Sequence, residues 1–406
     1  MTIDLNSLYR DLHSHPELSH AEHRTAGIVA THLAELGLTV TAAVGITGVV
    51  GVLENGEGPV VHLRADMDAL PVREETGLEY ASTVIAVDAS GTGIPVMHAC
   101  GHDMHVTCLI GAVEQLVKRR SEWTGTLVAV FQPAEETMLG AKSMVTDHYV
   151  DRFPRATVVL GQHVGPLPTG VVAVRPGTTM ASTDSLEIVF TGQGGHGSRP
   201  ESTIDPVVAA SATVMRLQTI VSREVQPGVL TVVTVGSFHA GSKSNIIPAT
   251  ATLGVNVRTV TAESRTRVLE SISRIAAAEA SASGMPVAPV ITTVEQGPAT
   301  VNDPTATERL RSRFIAEFGE SAVIDPGILT GSEDVGELAK AADAPLVFWF
   351  FGGIEPALFA QAAASGTVDR DIPGNHSPLF APVPEPTITN GTRNLVIAAL
   401  EWFSPA

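Results

Sequence analysis

The spacing of apolar residues changes twice along this 406-residue chain, and that change constrains the fold more than any other feature. In the first part, β-rich runs at 49–53, 60–64, 126–131 and 157–161 are bounded by turn residues. Stretches at 5–12, 21–36 and 106–117 carry apolar positions at helical spacing, the second stopping at Gly37. Such alternation predicts an α/β, mostly parallel sheet covered on both faces. Residues 182–295 read differently. Strands at 185–191, 229–235, 250–257 and 287–293, with helices at 204–221 and 262–282, give the order β-α-β-β-α-β of a ferredoxin-like α+β unit. The first pattern then returns, with a helix at 304–318 capped by Asp303, the apolar run PLVFWFF at 345–351 and a closing helix at 384–403. The expected organisation is one domain in two parts, 1–181 and 296–406, interrupted by an inserted domain at 182–295.

Composition narrows the function. Lys and Arg number 25 against 43 Asp and Glu, a net charge of −18, which repels phosphate backbones and argues against nucleic-acid binding. Two cysteines, Cys100 and Cys108, cannot staple a chain of this length, so a disulfide scaffold is excluded. The N-terminal segment lacks a basic patch followed by an apolar run, and no stretch approaches the roughly 20 apolar residues of a membrane span. A soluble, cytoplasmic protein without membrane partners is the expectation.

Metal-ligand residue types gather just after expected strands, the edge where open α/β sheets bind ligands. The segment HACGHDMH places His98, Cys100, His102, Asp103 and His105 before or at the start of a helix. One histidine there would be an ordinary polar cap. Three histidines, a cysteine and an aspartate within eight positions point to zinc or a similar transition metal. Cys108, inside the helix, reads as packing. After the strand ending at Phe131, Pro133 stops the ladder and Glu135 and Glu136 follow. Adjacent side chains in extended backbone point apart. The pair therefore suits a division of labour, one carboxylate on a metal and one taking a proton from water activated by it. His163 closes a third strand, and His376 lies in the turn-rich PGNHSP. Together these segments supply Cys100, His102, Glu136, His163 and His376, enough for two metals with open positions. Asp68, in RADMDALP, either orients a ligand histidine or caps the next turn. The inserted domain offers His196 in GGHGSRP, Asn245 in SNIIP and Arg258 at a strand end. An imidazole, an amide and a guanidinium suit a substrate carboxylate and a developing oxyanion, and equally suit a turn, a loop and a surface charge.

The motifs HSHPELS, RADMDALP, MHACGHDMH, FQPAEE, GQHV, GGHGSRP, SNIIP, GSED and GNHSP stand in an order that resembles the metallo-aminoacylase/carboxypeptidase family over nearly the whole chain. The similarity is greatest to its amidohydrolase branch, with hippurate hydrolase, bacterial N-acyl-amino acid and N-acyl-glutamine aminoacylases and auxin-conjugate amidohydrolases. The resemblance implies a catalytic domain with an inserted dimerisation domain. It implies Cys100, His102, Glu136, His163 and His376 as ligands of two divalent ions, Glu135 as general base and Asp68 as the aspartate behind a ligand. It also implies His196 as an oxyanion donor serving an active site, commonly the partner subunit's, with Asn245 and Arg258 near the substrate carboxylate. Zinc is the first expectation from the thiolate, with manganese and cobalt as alternatives. One departure from many relatives is that Asp66 takes the place of a first-motif histidine, while the CGH segment supplies cysteine and histidine.

The expected activity is hydrolysis of a small-molecule N-acyl-L-amino acid to a carboxylate and a free amino acid, by a homodimer or higher homo-oligomer. The metals would hold the attacking hydroxide, and Glu135 would move the proton. A carboxypeptidase or dipeptidase on the same site is the alternative within hydrolases. A non-catalytic metal- or ligand-binding homologue is the alternative outside them, disfavoured because a binder has no need of the base Glu135.

Overall fold

Along Gly125–Gln132 the side chains sort by parity. Leu127, Ala129 and Phe131 enter one apolar core, and Val128 and Val130 enter another on the opposite face. A strand buried on both faces must sit inside a sheet covered on both sides. The computed structural model, which describes residues 3–87 and 91–403, shows that sheet with eight strands. The four inner strands Gly125–Gln132, Val60–Asp66, Val158–Pro168 and Leu346–Ile354 run parallel in that order. Gly48–Asn55 and Thr39–Val44 extend the sheet antiparallel on one side, and Val172–Ala173 and Val323–Ile324 extend it on the other. The helices Leu5–Ser14, His23–Glu35, His102–Lys118 and Pro304–Phe318, with the closing Pro384–Phe403, bring residues to the first core. Gly140–Thr146, Tyr149–Arg152 and Val335–Ala342 bring residues to the second. Asp303 caps the helix Pro304–Phe318 by accepting the Ala306 N–H.

The chain divides into two compact units. One comprises 1–179, 301–327 and 334–406; the other comprises 180–300 and 328–333. The second holds a four-stranded antiparallel sheet in the order Thr231–Ala240, Thr250–Thr259, Ser182–Thr191, Val290–Gly297. This is the strand order of the split β-α-β-β-α-β unit. Its helices Pro206–Thr219 and Ala262–Ala282 share an apolar core with Leu186, Ile188 and Phe190 on one strand and Leu253, Val255 and Val257 on the next. The short segment 328–333 joins this unit through the Ala181 N–H to Leu329 carbonyl bond and through Ser332 Oγ to the Ala181 carbonyl.

The strand expected to end near His163 runs on to Pro168, so His163 lies inside it. Pairing with Val60–Asp66 ends at Gly161, while pairing with Leu346–Ile354 continues past His163. The free flank at that point leaves room for side chains from other segments. Among the described residues, no helix is long and apolar enough to cross a membrane.

Candidate metal centre

Asp66 ends a buried strand and Asp68 follows it, and both are buried themselves. A buried carboxylate needs hydrogen-bonding partners, and those of Asp68 organise the centre. Its Oδ1 lies 3.2 Å from His102 Nδ1 and accepts the Glu135 backbone N–H at 3.1 Å. Its Oδ2 accepts the Ser19 hydroxyl at 2.6 Å and the Glu136 N–H at 3.0 Å. Asp68 thus orients the ring of His102 and also holds the turn carrying both glutamates. Burial works against ionisation of Asp68, but these hydrogen bonds hold its carboxyl below the usual carboxylate range.

In neutral His102 the proton sits on Nδ1, towards the Asp68 carboxylate, and the lone pair lies on Nε2. That Nε2 is buried without a hydrogen-bond partner, as is Glu136 Oε1 3.8 Å away. Cys100 Sγ belongs to the same group, all three ligand atoms lying within 4.8 Å of one another. Glu136 Oε2 lies 3.3 Å from His376 Nε2, and Cys100 Sγ lies 3.4 Å from His163 Nε2. His163 Nδ1 donates to the Val164 carbonyl at 2.7 Å, so its Nε2 lone pair also faces the centre. All five expected ligands therefore meet. The orphaned Nε2 and Oε1, with a thiol and carboxylates converging on them, fit a divalent cation of borderline softness, as the thiol and imidazoles select. Electrostatics agree. Burial, then Glu136, Glu135 and Asp66, push the Cys100 thiol well up. Burial opposes protonation of His102, yet the Asp66 and Asp68 carboxylates raise it to about 10. A cation replacing those protons relieves the same negative charge.

Gly101 makes the convergence of Cys100 and His102 possible. Its φ of +84° turns the chain into the helix His102–Lys118, and a Cβ there would stand 2.5 Å from Val164 Cγ1. Glu135 is buried with Oε2 3.9 Å from His102 Nε2. The turn that presents it is flanked by Ala134 and Met138 in the left-handed region, at φ 50° and 57°.

Several supporting residues escape notice in the sequence. Glu22 accepts the Ala134 N–H at 2.8 Å and so braces the strained turn before Glu135. By residue type His105 is a ligand candidate, but both its ring nitrogens are engaged elsewhere. The Val164 N–H donates to its Nε2 at 2.8 Å, so its proton lies on Nδ1, which donates to Asp66 Oδ1 at 2.5 Å. Asp66 also receives Arg64 Nη1 at 2.6 Å, and burial of its carboxyl is outweighed by His102, Arg64 and His105. Arg64 reaches Gln132 through Nε at 2.9 Å, and Gln132 reaches Asp334 at 2.6 Å. Only the regular placement of charged residues at strand ends hinted at this buried network. His98 is buried, makes no side-chain hydrogen bond and is pushed down by burial to about 4.

In the inserted unit, the structure brings His196 and Asn245 together. Gly195–His196 pairs with Ile246–Ile247, and the Gly197 N–H donates to the Asn245 carbonyl at 2.9 Å. The Ser198 backbone N–H donates to His196 Nδ1 at 3.1 Å. A backbone N–H can only donate, so neutral His196 carries its proton on Nε2, on an exposed ring. Arg258 lies on a strand of the same unit. Its Nε donates to Asn256 Oδ1 at 3.1 Å, and its Nη1 donates to Ser332 Oγ at 2.8 Å and the Thr330 carbonyl at 3.2 Å.

The model of peptidase family M20/M25/M40 matches residues 62–367. Hippurate hydrolase of Campylobacter jejuni is 38% identical over 345 residues, covering 84% of this chain and 86% of that protein. IAA-amino acid hydrolase ILR1-like 2 of Arabidopsis thaliana is 37% identical over 334 residues, covering 82% and 73%. Among solved structures, the Bacillus subtilis YxeP protein, described as a dinuclear metal binding peptidase from the M20 family, superposes with a TM-score of 0.76. It is 30% identical, with 98% of this chain and 96% of that one covered.

Proposed function

The chain belongs to peptidase family M20/M25/M40, and from that premise we propose that it hydrolyses N-acyl-L-amino acids to a carboxylate and a free amino acid. It is an amidohydrolase of the kind its relatives named hippurate hydrolase and IAA-amino acid hydrolase represent. The observation that carries the reading is Glu135, buried with its carboxylate 3.9 Å from His102 Nε2 and its backbone held by Asp68.

Cys100, His102, Glu136, His163 and His376 would hold two divalent ions, zinc first by the thiolate, with manganese or cobalt as alternatives. Such ions, when bound, polarise a carbonyl and acidify water. The remaining chemistry belongs to side chains. Glu135 takes a proton from the attacking water as the water oxygen bonds to the amide carbon. The carbonyl π electrons move onto oxygen, and the exposed Nε2–H of His196 suits it to donate to that oxyanion. As the intermediate collapses, the C–N bond breaks and Glu135 returns the proton to the leaving nitrogen. Asn245 and Arg258 are assigned to the substrate carboxylate. Arg258 is steadied for this by Asn256 and Ser332.

A panel that varies acyl group and amino acid independently tests the reading. Hydrolysis of hippurate and acetyl-amino acids, with dipeptides slow, supports it. Turnover of dipeptides with acyl-amino acids untouched replaces it with the peptidase reading, favoured by the description of the B. subtilis structure. Metal binding with no hydrolysis across the panel leaves a binding protein.

A further inference from the structure

The loop that carries His376 is difficult to hold. His376 itself has φ 70°, in the left-handed region that a residue with a Cβ rarely adopts. Its side chain is 56% exposed, so little packing fixes the ring. Its backbone N–H donates to the Ala99 carbonyl at 2.8 Å, one tie to the segment bearing Cys100 and His102. The neighbouring side chain supplies others. Asn375 Nδ2 donates to the Cys100 carbonyl at 3.1 Å and to the Val164 carbonyl at 3.2 Å. It also lies 3.8 Å from Cys100 Sγ.

We infer that Asn375 is a positioning residue of the metal centre, the amide that locks the Cys100, His163 and His376 segments into one register and shares one of its two N–H protons between a backbone carbonyl and the Cys100 sulfur. The orientation of the amide follows from chemistry. Both backbone carbonyls only accept, so the group facing them is the NH2 and not the oxygen. The Val164 carbonyl is a shared node, because His163 Nδ1 donates to it as well. One side chain thus meets the backbone of one ligand and the carbonyl that orients another, next to a third in sequence. The N–H···S contact is long and weak in itself. It acts on the one soft ligand, however, and hydrogen bonds to a ligand atom tune how strongly it binds metal. Asparagine is suited to this: aspartate would turn an oxygen towards two carbonyl oxygens, and leucine has the size without the donors.

The inference rests on the reading of Cys100, His163 and His376 as ligands, and cobalt separates the two. The probe is Co(II) added to the full-length, metal-free protein, read by its thiolate-to-cobalt charge-transfer absorption and by competition with a chelator. Wild type is expected to show the thiolate band. Asn375→Leu should move the band to longer wavelength, because the sulfur loses a hydrogen bond, and weaken cobalt binding by about 10–100-fold. Asn375→Asp serves as the second variant should Asn375→Leu not fold, with the same shift and at least the same loss. A side chain that only props up the loop would lower the melting temperature of the metal-free protein and leave the band where it is. A band and affinity equal to wild type in a folded variant overturns the role of Asn375. A wild type that binds cobalt with no thiolate band overturns the ligand reading and this inference with it.

Discussion

Asp68 accepts the backbone N–H of Glu135 at 3.1 Å through the same oxygen that orients the ring of His102. One buried carboxylate therefore couples the position of the proposed base to that of a proposed ligand. Asp68→Asn keeps the shape but brings an NH2 group against N–H donors. We expect metal affinity or turnover to fall about 10–100-fold. Ser19→Ala removes only the hydroxyl that Asp68 Oδ2 accepts and should cost much less. Titration of metal into both variants, with turnover measured at saturating metal, checks the ranking.

Glu135 and Glu136 should separate cleanly. Glu135→Gln is expected to keep its metal and lose about 10²–10⁴-fold or more in turnover, the usual cost of a missing general base. Glu136→Gln is expected to lose metal, since Oε1 faces His102 and Oε2 faces His376. Elemental analysis of both proteins settles it; the opposite pattern reverses the assignment.

Removal of metal by a chelator should abolish activity, and zinc, manganese or cobalt should restore it. Full activity in protein shown by elemental analysis to be free of metal would end the mechanism proposed above.

His196→Ala should lower kcat by about 10²–10³, the usual loss for one oxyanion donor, while Arg258→Ala should chiefly raise KM. Subunit mixing tests the expected homodimer. If His196 serves the partner's site, mixing inactive His196→Ala with inactive Glu135→Gln protein creates one site with both defects and one with neither, and activity returns. No recovery after proven subunit exchange rules out a shared site, and a monomer by light scattering rules out the dimer.

The buried cluster of His13, Asp103 and Glu74 should leave its mark on stability against pH. His13 Nδ1 lies 2.7 Å from Asp103 and Nε2 3.1 Å from Glu74. Burial opposes its charge, but the two carboxylates outweigh burial and raise it from 6.5 to about 10. A value raised in the folded state contributes stability in full below pH 6.5, and that contribution disappears as pH climbs through about 10. Denaturant unfolding should therefore show wild type losing stability across this window. His13→Gln should be less stable by about 3–5 kcal/mol on the acid side and lack the slope. A wild type with flat stability from pH 6.5 to about 10 contradicts the charge assigned to His13.

Local pattern carried much of this protein. The β-rich apolar run 126–131 marked a strand without coordinates, whereas the sorting of Leu127, Ala129 and Phe131 to one core and Val128 and Val130 to the other is seen only in the structure. The order of strands and helices in 182–295 likewise dictated the split unit, since few topologies satisfy it. Residue chemistry marked the segments HACGHDMH, FQPAEE, GQHV and GNHSP as metal-binding in type, and the family resemblance, not spacing, gave Glu136 rather than Glu135 as the expected ligand. What tertiary structure decided was which nitrogen of each ring is free. His102 and His105 stand three residues apart on one helix, and by composition they are equivalent. Asp68 takes the Nδ1 side of His102 and leaves Nε2 open, whereas Asp66 and the Val164 N–H take both sides of His105. Those partners come from segments distant in sequence, so neither spacing nor residue type reveals them. The long reach of Val158–Pro168 and the roles of Glu22 and Asn375 share that cause. Each depends on which backbone group a buried polar atom meets, and burial makes that pairing obligatory without saying in advance who the partner is.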